Sequence, residues 1–164
     1  MAVVLDEYLS LVDEVICPSA RSAVQRGSYK MPRMIFVNLP VTDLGRSTSF
    51  YEAIGGTKNS KFSDDTGSCV VLSDAIFVML LTHDKYRNFE SRPIADAHKT
   101  SQVLLAISEE SREIVDRVLD RAEKAGGRAD PNPPQDHGFM YSRDFADPDG
   151  HTWEVFWMDP AAVA

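Results

Sequence analysis

The chain has 164 residues, 43% of them hydrophobic, and 17 basic against 25 acidic side chains give a formal charge of −8. One domain or two small fused modules fit that length, with a core of ordinary size. The acidic excess repels nucleic acid and anionic membrane surfaces, so neither is an expected partner. No uninterrupted apolar run reaches the roughly 18 residues needed to cross a bilayer.

The N-terminus has Asp6 and Glu7 where a secretory signal needs basic and then apolar residues. Cys17 and Cys69 lie far apart and outside any CxxC spacing. Two free thiols and a cytoplasmic location are expected.

Residues 1–33 read as an extension. Val3 to Ile16 can form an amphipathic helix with Leu5, Tyr8, Leu9, Val12, Val15 and Ile16 on one face. Pro18 stops it and a polar stretch follows to Lys30. Such a segment is either an arm that docks on the domain or a partner subunit, or an extension the fold does not need.

From Met34 the pattern becomes regular. A strand is expected over Met34–Val41, then a helix capped by Asp43, with Leu44, Phe50, Tyr51 and Ile54 on its apolar side. Gly55-Gly56 ends it. Three strands follow at Lys58–Ser63, Ser68–Ser73 and Ala75–Thr82, with turns at Asp64–Gly67 and Ser73-Asp74. The link His83–Thr100 is charged, contains Pro93 and shows no period. Long ordered links often serve function, and an exposed linker is equally consistent.

The same order then returns. A strand is expected over Ser101–Ile107. Ser108 or Ser111 can cap a helix carrying Ile114, Val115, Val118, Leu119 and Ala122, and Gly126-Gly127 ends it. A short strand near Arg128, a turn with Pro131, Pro133 and Pro134, and strands Gly138–Ala146 and His151–Met158 complete the series. Asp147-Pro148-Asp149-Gly150 joins the last two as a tight turn. Strand–helix–three strands occurs twice, and this internal repeat outweighs any single element.

The opening Phe36-Val-Asn-Leu-Pro-Val-Thr-Asp-Leu…Ser-Phe-Tyr51…Gly55-Gly56 resembles the start of a vicinal-oxygen-chelate module. Phe145-Ala-Asp-Pro-Asp-Gly-His-Thr-Trp-Glu-Val-Phe156 resembles that superfamily's closing hairpin. The superfamily includes glyoxalase I, extradiol dioxygenases, fosfomycin resistance enzymes and bleomycin-binding proteins. Asp136–Arg143 before Trp153–Asp159 is most similar to its bacterial predicted lactoylglutathione-lyase-like group. The resemblance implies an α+β fold in which two βαβββ modules, 34–86 and 101–160 within a domain 34–160, form a cupped mixed sheet. It also implies a small-molecule ligand or substrate, and a homodimer that completes its cups across the subunit boundary.

In metal-using members each module supplies two ligands, one early on its first strand and one on its last. The resemblance places these positions on Phe36, on the apolar run Ala75–Thr82, on Gln102 and on Glu154. Phenylalanine cannot ligate, and hard cations want imidazole nitrogen or carboxylate oxygen. No cofactor is therefore expected; a divalent metal, if bound, would use Gln102 and Glu154.

Alternation sets Glu154 with Thr152 and Phe156, opposite Trp153, Val155 and Trp157. A glutamate facing a cup is costly unless paired or used, which makes it the candidate catalytic or ligand-receiving residue. Phe36, Asn38, Met79 or Leu80, Gln102 and Tyr141 are the expected lining. Arg143 either clamps an anion or pairs with Glu154. His137 falls at the rim, either as a ligand contact or as a solvated side chain. The expected function is small-molecule binding without a complete metal site. The alternative is a lyase-like or dioxygenase-type enzyme using Glu154, with or without a metal.

Overall fold

The computed structural model describes residues 33–162. The expected arm over residues 1–33 lies, but for Arg33, outside the described residues. Two sheets account for every described strand. β1 (Ile35–Val41), α1 (Leu44–Ala53), β2 (Thr57–Asn59), β3 (Gly67–Ser73) and β4 (Ile76–Thr82) form the first module. A one-turn helix, α2 (His83–Tyr86), opens the link. β5 (Leu104–Ser108), α3 (Arg112–Lys124), β6 (Arg128–Ala129), β7 (Gln135–Asp136), β8 (Met140–Ala146) and β9 (Thr152–Met158) form the second.

The strand orders match: β1-β4-β3-β2 and β5-β9-β8-β6, with β7 also on β8. In each module the first strand pairs parallel to the last, and the remaining pairings are antiparallel. The expected pair of βαβββ modules is present.

Local chemistry explains the boundaries. The Asp43 side chain accepts from Arg46 N at 2.9 Å and caps α1; Ser111, not Ser108, accepts from Ile114 N at 3.4 Å and caps α3. Both helices exit through glycines with left-handed backbones, Gly55 at φ 120° and Gly126 at φ 94°, which other residues adopt only with strain.

Three elements differ from expectation. The strand expected over Lys58–Ser63 stops at Asn59, whose side chain accepts from Lys61 N and starts a 3-10 turn at Ser60–Phe62. The short strand expected near Arg128 is present as β6, but the Pro-rich turn after it, where Asp130 turns the chain at φ 49° and Pro131, Pro133 and Pro134 cannot donate to a ladder, gives way to a further two-residue strand, β7. β5 begins at Leu104, so Gln102 precedes the strand.

One core serves both modules. Leu39, Val41, Val70, Val78 and Leu80 of the first sheet pack with Phe50, Tyr51 and Ile54 of α1. The same cluster contains Val115, Val118 and Leu119 of α3 with Phe145, Trp153 and Val155 of the second sheet. Phe50 meets Phe145 at 5.7 Å between ring centroids, and Tyr51 meets Trp153 at 6.1 Å. Each sheet therefore turns one face to this helical layer.

Candidate functional site

Strand alternation fixes what the opposite faces carry. On the first sheet Phe36, Asn38 and Pro40 of β1 lie beside Phe77, Met79 and Leu81 of β4, in register. Cys69 and Val71 of β3 continue the row. Phe36 stacks on Phe77 with centroids 4.7 Å apart and planes 13° from parallel. Phe77, Leu81 and Cys69 are buried and Met79 is half-buried; burial pushes the Cys69 thiol up to about 11. Asn38 is exposed and its amide donates to Phe36 O at 3.2 Å. No strand residue on this face carries a charge.

The second sheet is the opposite in character. Thr152, Glu154 and Phe156 of β9 lie between Leu104, Ala106 and Ser108 of β5 on one side and Ala146, Asp144 and Ser142 of β8 on the other. Glu154 stands directly across from Asp144. Asp144 accepts from the Asn132 amide at 2.6 Å. The Glu154 carboxylate has no hydrogen bond or ion pair among the described residues. Leu104 at 54% and Phe139 at 51% exposure leave apolar surface open on or beside this sheet.

The two modules meet along β1 and the approach to β5. A cavity of about 320 Å³ there brings Asn38 and Gln102 together with His98, His151 and Thr152. Asn38 of β1 and Gln102, just before β5, thus share one cavity.

Beneath this junction a polar latch ties the β8–β9 turn to the first module. The Asp149 carboxylate receives Thr42 N at 2.9 Å, the Thr42 hydroxyl at 2.6 Å, the Ser47 hydroxyl at 2.6 Å and the Arg46 guanidinium at 3.2 Å. Burial opposes ionisation of Asp149, but the Ser47 and Thr42 hydrogen bonds, with Arg46, outweigh it and hold the carboxyl below its usual range. Asp147 goes the other way: burial raises it, even though Tyr51 OH donates to it at 2.8 Å and the backbone of Asp149 and His151 at 2.9 Å. Burial, then Asp147 itself, raises the Tyr51 phenol well above its ordinary value. His151 Nε2 lies 2.9 Å from Pro40 O, a contact that needs the proton on that nitrogen.

The model of the Glyoxalase/Bleomycin resistance protein/Dioxygenase superfamily matches residues 33–155. The chain belongs to this superfamily. Solved structures of similar fold include a hypothetical protein, SA1046, from S. aureus, at TM-score 0.65 and 23% identity over 78% of this chain and 95% of that one. A glyoxalase/bleomycin resistance protein/dioxygenase family enzyme from Burkholderia phytofirmans PsJN aligns at TM-score 0.64 and 16% identity, over 77% and 99%. The fosfomycin resistance protein FosX from Mesorhizobium loti aligns at 0.56 and 19%, over 82% and 96%. No curated protein matches the chain.

Set against the superfamily's ligand positions, the residues present do not fit a metal. The first module offers Phe36 and, on β4, phenylalanine, methionine and leucine. Gln102 lies in the inter-module cavity, whose lining does not include Glu154. Among the described residues no three His, Cys, Asp or Glu side chains converge.

Several expected site residues lie elsewhere. Leu80 points into the helical core, because alternation gives the inner face to Met79. Tyr141 and Arg143 share the face of Phe145 and reach α3. Tyr141 OH donates to Asp116 at 2.8 Å, and Arg143 donates to Asp116 at 2.8 Å and to Asp130 at 2.6 Å. Arg143 is thus no partner of Glu154. His137 is exposed near Phe139, 3.2 Å from Gln135 Oε1. Phe36, Asn38, Met79 and Glu154 do lie on the sheet faces turned away from the helices.

Asp144 was the residue missed. Counting back from the Asp147–Gly150 turn sets it opposite Glu154, so the hairpin register held the signal.

Proposed function

We propose that the chain is a metal-poor small-molecule-binding member of the superfamily. Its ligand carries an apolar body and a cationic or hydrogen-donating group. The observation that supports this is the contrast between the two inner faces: an uncharged one built on Phe36, Phe77 and Met79, and one on which Glu154 has no partner among the described residues. A half-buried carboxylate without a hydrogen-bond partner attracts a cation or a donor.

A homodimer belongs to the same reading. The exposed Leu104 and Phe139 are apolar surface that a second copy would cover, completing a cup from one inner face of each chain. Sedimentation at micromolar concentration is expected to give a dimer.

Dansylated alkylamine, with its neutral and carboxylated analogues, provides the direct test by fluorescence titration. The amine is expected to bind best, and Glu154→Gln, which keeps shape and removes charge, is expected to abolish that preference. Equal binding of all three probes, or a preference that survives Glu154→Gln, would sink the reading.

A second reading is favoured by the same carboxylate. Glu154 is free to take a proton from a bound substrate, as a lyase-like enzyme requires. Elemental analysis with and without chelator separates a metal-assisted form of that chemistry from the metal-poor binder.

A further inference from the structure

We infer that the junction between the two modules is a binding site for a small organic oxyanion, a carboxylate or a phosphate. The cavity of about 320 Å³ described above is lined by His98, Lys99 and His151, by the amides of Asn38 and Gln102, and by hydroxyls that include Thr152. No aspartate or glutamate lines it. That lining runs against the rest of the chain, whose formal charge is −8. A recess rich in donors and free of carboxylates favours an anion over a cation.

The donors are available. Among the described residues the Gln102 amide, the Thr152 hydroxyl and the His98 ring have no hydrogen-bond partner. Asn38 spends one amide hydrogen on Phe36 O and keeps the second. His151 uses Nε2 on Pro40 O, which holds the ring. Lys99 pairs with Asp96 at 2.7 Å, but both are exposed, and such a pair yields at little cost. The backbone brings the two histidines together. A Cβ on Gly150 would lie 2.7 Å from His98 N and 2.8 Å from Ala97 C, so the link is seated directly on the β8–β9 turn. The Asp149 hydrogen bonds tie that turn to the first module.

The site is larger than an ion. A second cavity, of about 610 Å³, shares Pro40, Ala97, His98 and His151 with the first. Pro93, Ile94 and Ala95 of the link give it an apolar wall. His83 and Arg87, the latter paired at the surface with Asp84, add further donors. Its two carboxylates are already engaged, Asp96 by Lys99 and Asp149 by Thr42, Ser47 and Arg46. An organic anion suits both cavities: the charged group at the donor-rich end, the apolar body against the link.

Phenyl phosphate and benzoate, with benzylamine and benzyl alcohol as cationic and neutral counterparts, test this by NMR titration at constant ionic strength. The anions are expected to bind about tenfold more tightly than benzyl alcohol and to shift the amides of His98, Gln102 and His151, whereas benzylamine gains nothing. The tighter of the two anions names the oxyanion. Gln102→Glu sets a carboxylate at an exposed position of the cavity, and is expected to weaken phenyl phosphate about tenfold with Tm unchanged. His98→Ala, on the exposed link, is expected to weaken it severalfold. Benzylamine binding as tightly as the anions, shifts confined to other parts of the chain, or an affinity unchanged in both variants would each overturn the inference. Glu154 lines neither cavity, so this site stands apart from the amine reading above. A carboxylated dansyl probe held here is told from one on the second sheet by its displacement with phenyl phosphate.

Discussion

Asp149 shows how one side chain sets both stability and its pH dependence. Its carboxylate satisfies a backbone N–H, two hydroxyls and a guanidinium of the first module. Removing one partner from a buried network leaves the others unsatisfied, so Asp149→Asn is expected to cost about 2 kcal/mol at pH 7 in urea unfolding. Because folding lowers its pKa, its stabilisation is present above the ordinary carboxylate value and fades as pH falls below about 4. The gap between wild type and Asp149→Asn should narrow at pH 3, and a constant gap would assign the loss to shape. Asp147 has the reverse sign: its pKa is raised on folding, so its contribution is full in acid and lost as pH rises through the raised value. Ser68 gives a simpler case. Its hydroxyl is buried without a hydrogen-bond partner among the described residues, and Ser68→Ala is expected to be neutral or to stabilise by up to about 1 kcal/mol.

At the scale of elements, a sharp constraint is the exit of α3. A Cβ on Gly127 would lie 2.6 Å from Phe50 Cε2 and 2.7 Å from Ala146 O. Gly127→Ala is therefore expected to force α1 and the second sheet apart and to cost about 1–3 kcal/mol, read as a lowered Tm. The repeat, both Gly-Gly stops and the closing hairpin were legible in the sequence because each depends on local chemistry or period. The further strand β7 was not, since three prolines mark a break without fixing where pairing resumes. For the candidate site, alternation correctly placed Phe36, Asn38, Met79 and Glu154. It could not decide between Met79 and Leu80, because a strand buried on both faces has no polar side to set its phase. Tyr141 and Arg143 were misassigned because the partners that hold them, Asp116 and Asp130, lie on α3 and on the turn after β6.

The whole molecule has one core although it has two modules. Phe50 and Tyr51 from the first pack on Phe145 and Trp153 from the second. Unfolding is expected to be a single transition, with tryptophan fluorescence and far-ultraviolet circular dichroism coincident in urea. Two separated transitions would mean that each module is stable alone. Phe145→Ala is expected to lower the stability of both modules together, by about 3–5 kcal/mol. Among the described residues no helix is long and apolar enough to cross a membrane.

Each sheet is closed by a parallel partnership between its first and last strands, β1 with β4 and β5 with β9. During synthesis this imposes an order. The first sheet can close once Thr82 has left the ribosome, but its helical layer still lacks Trp153 and Val155, which arrive with the final strand. At roughly 5–20 residues per second, Phe50 and Tyr51 wait several seconds for that cover. In this interval the nascent chain is a half-protein with a greasy underside, the state in which a chaperone would find most to hold.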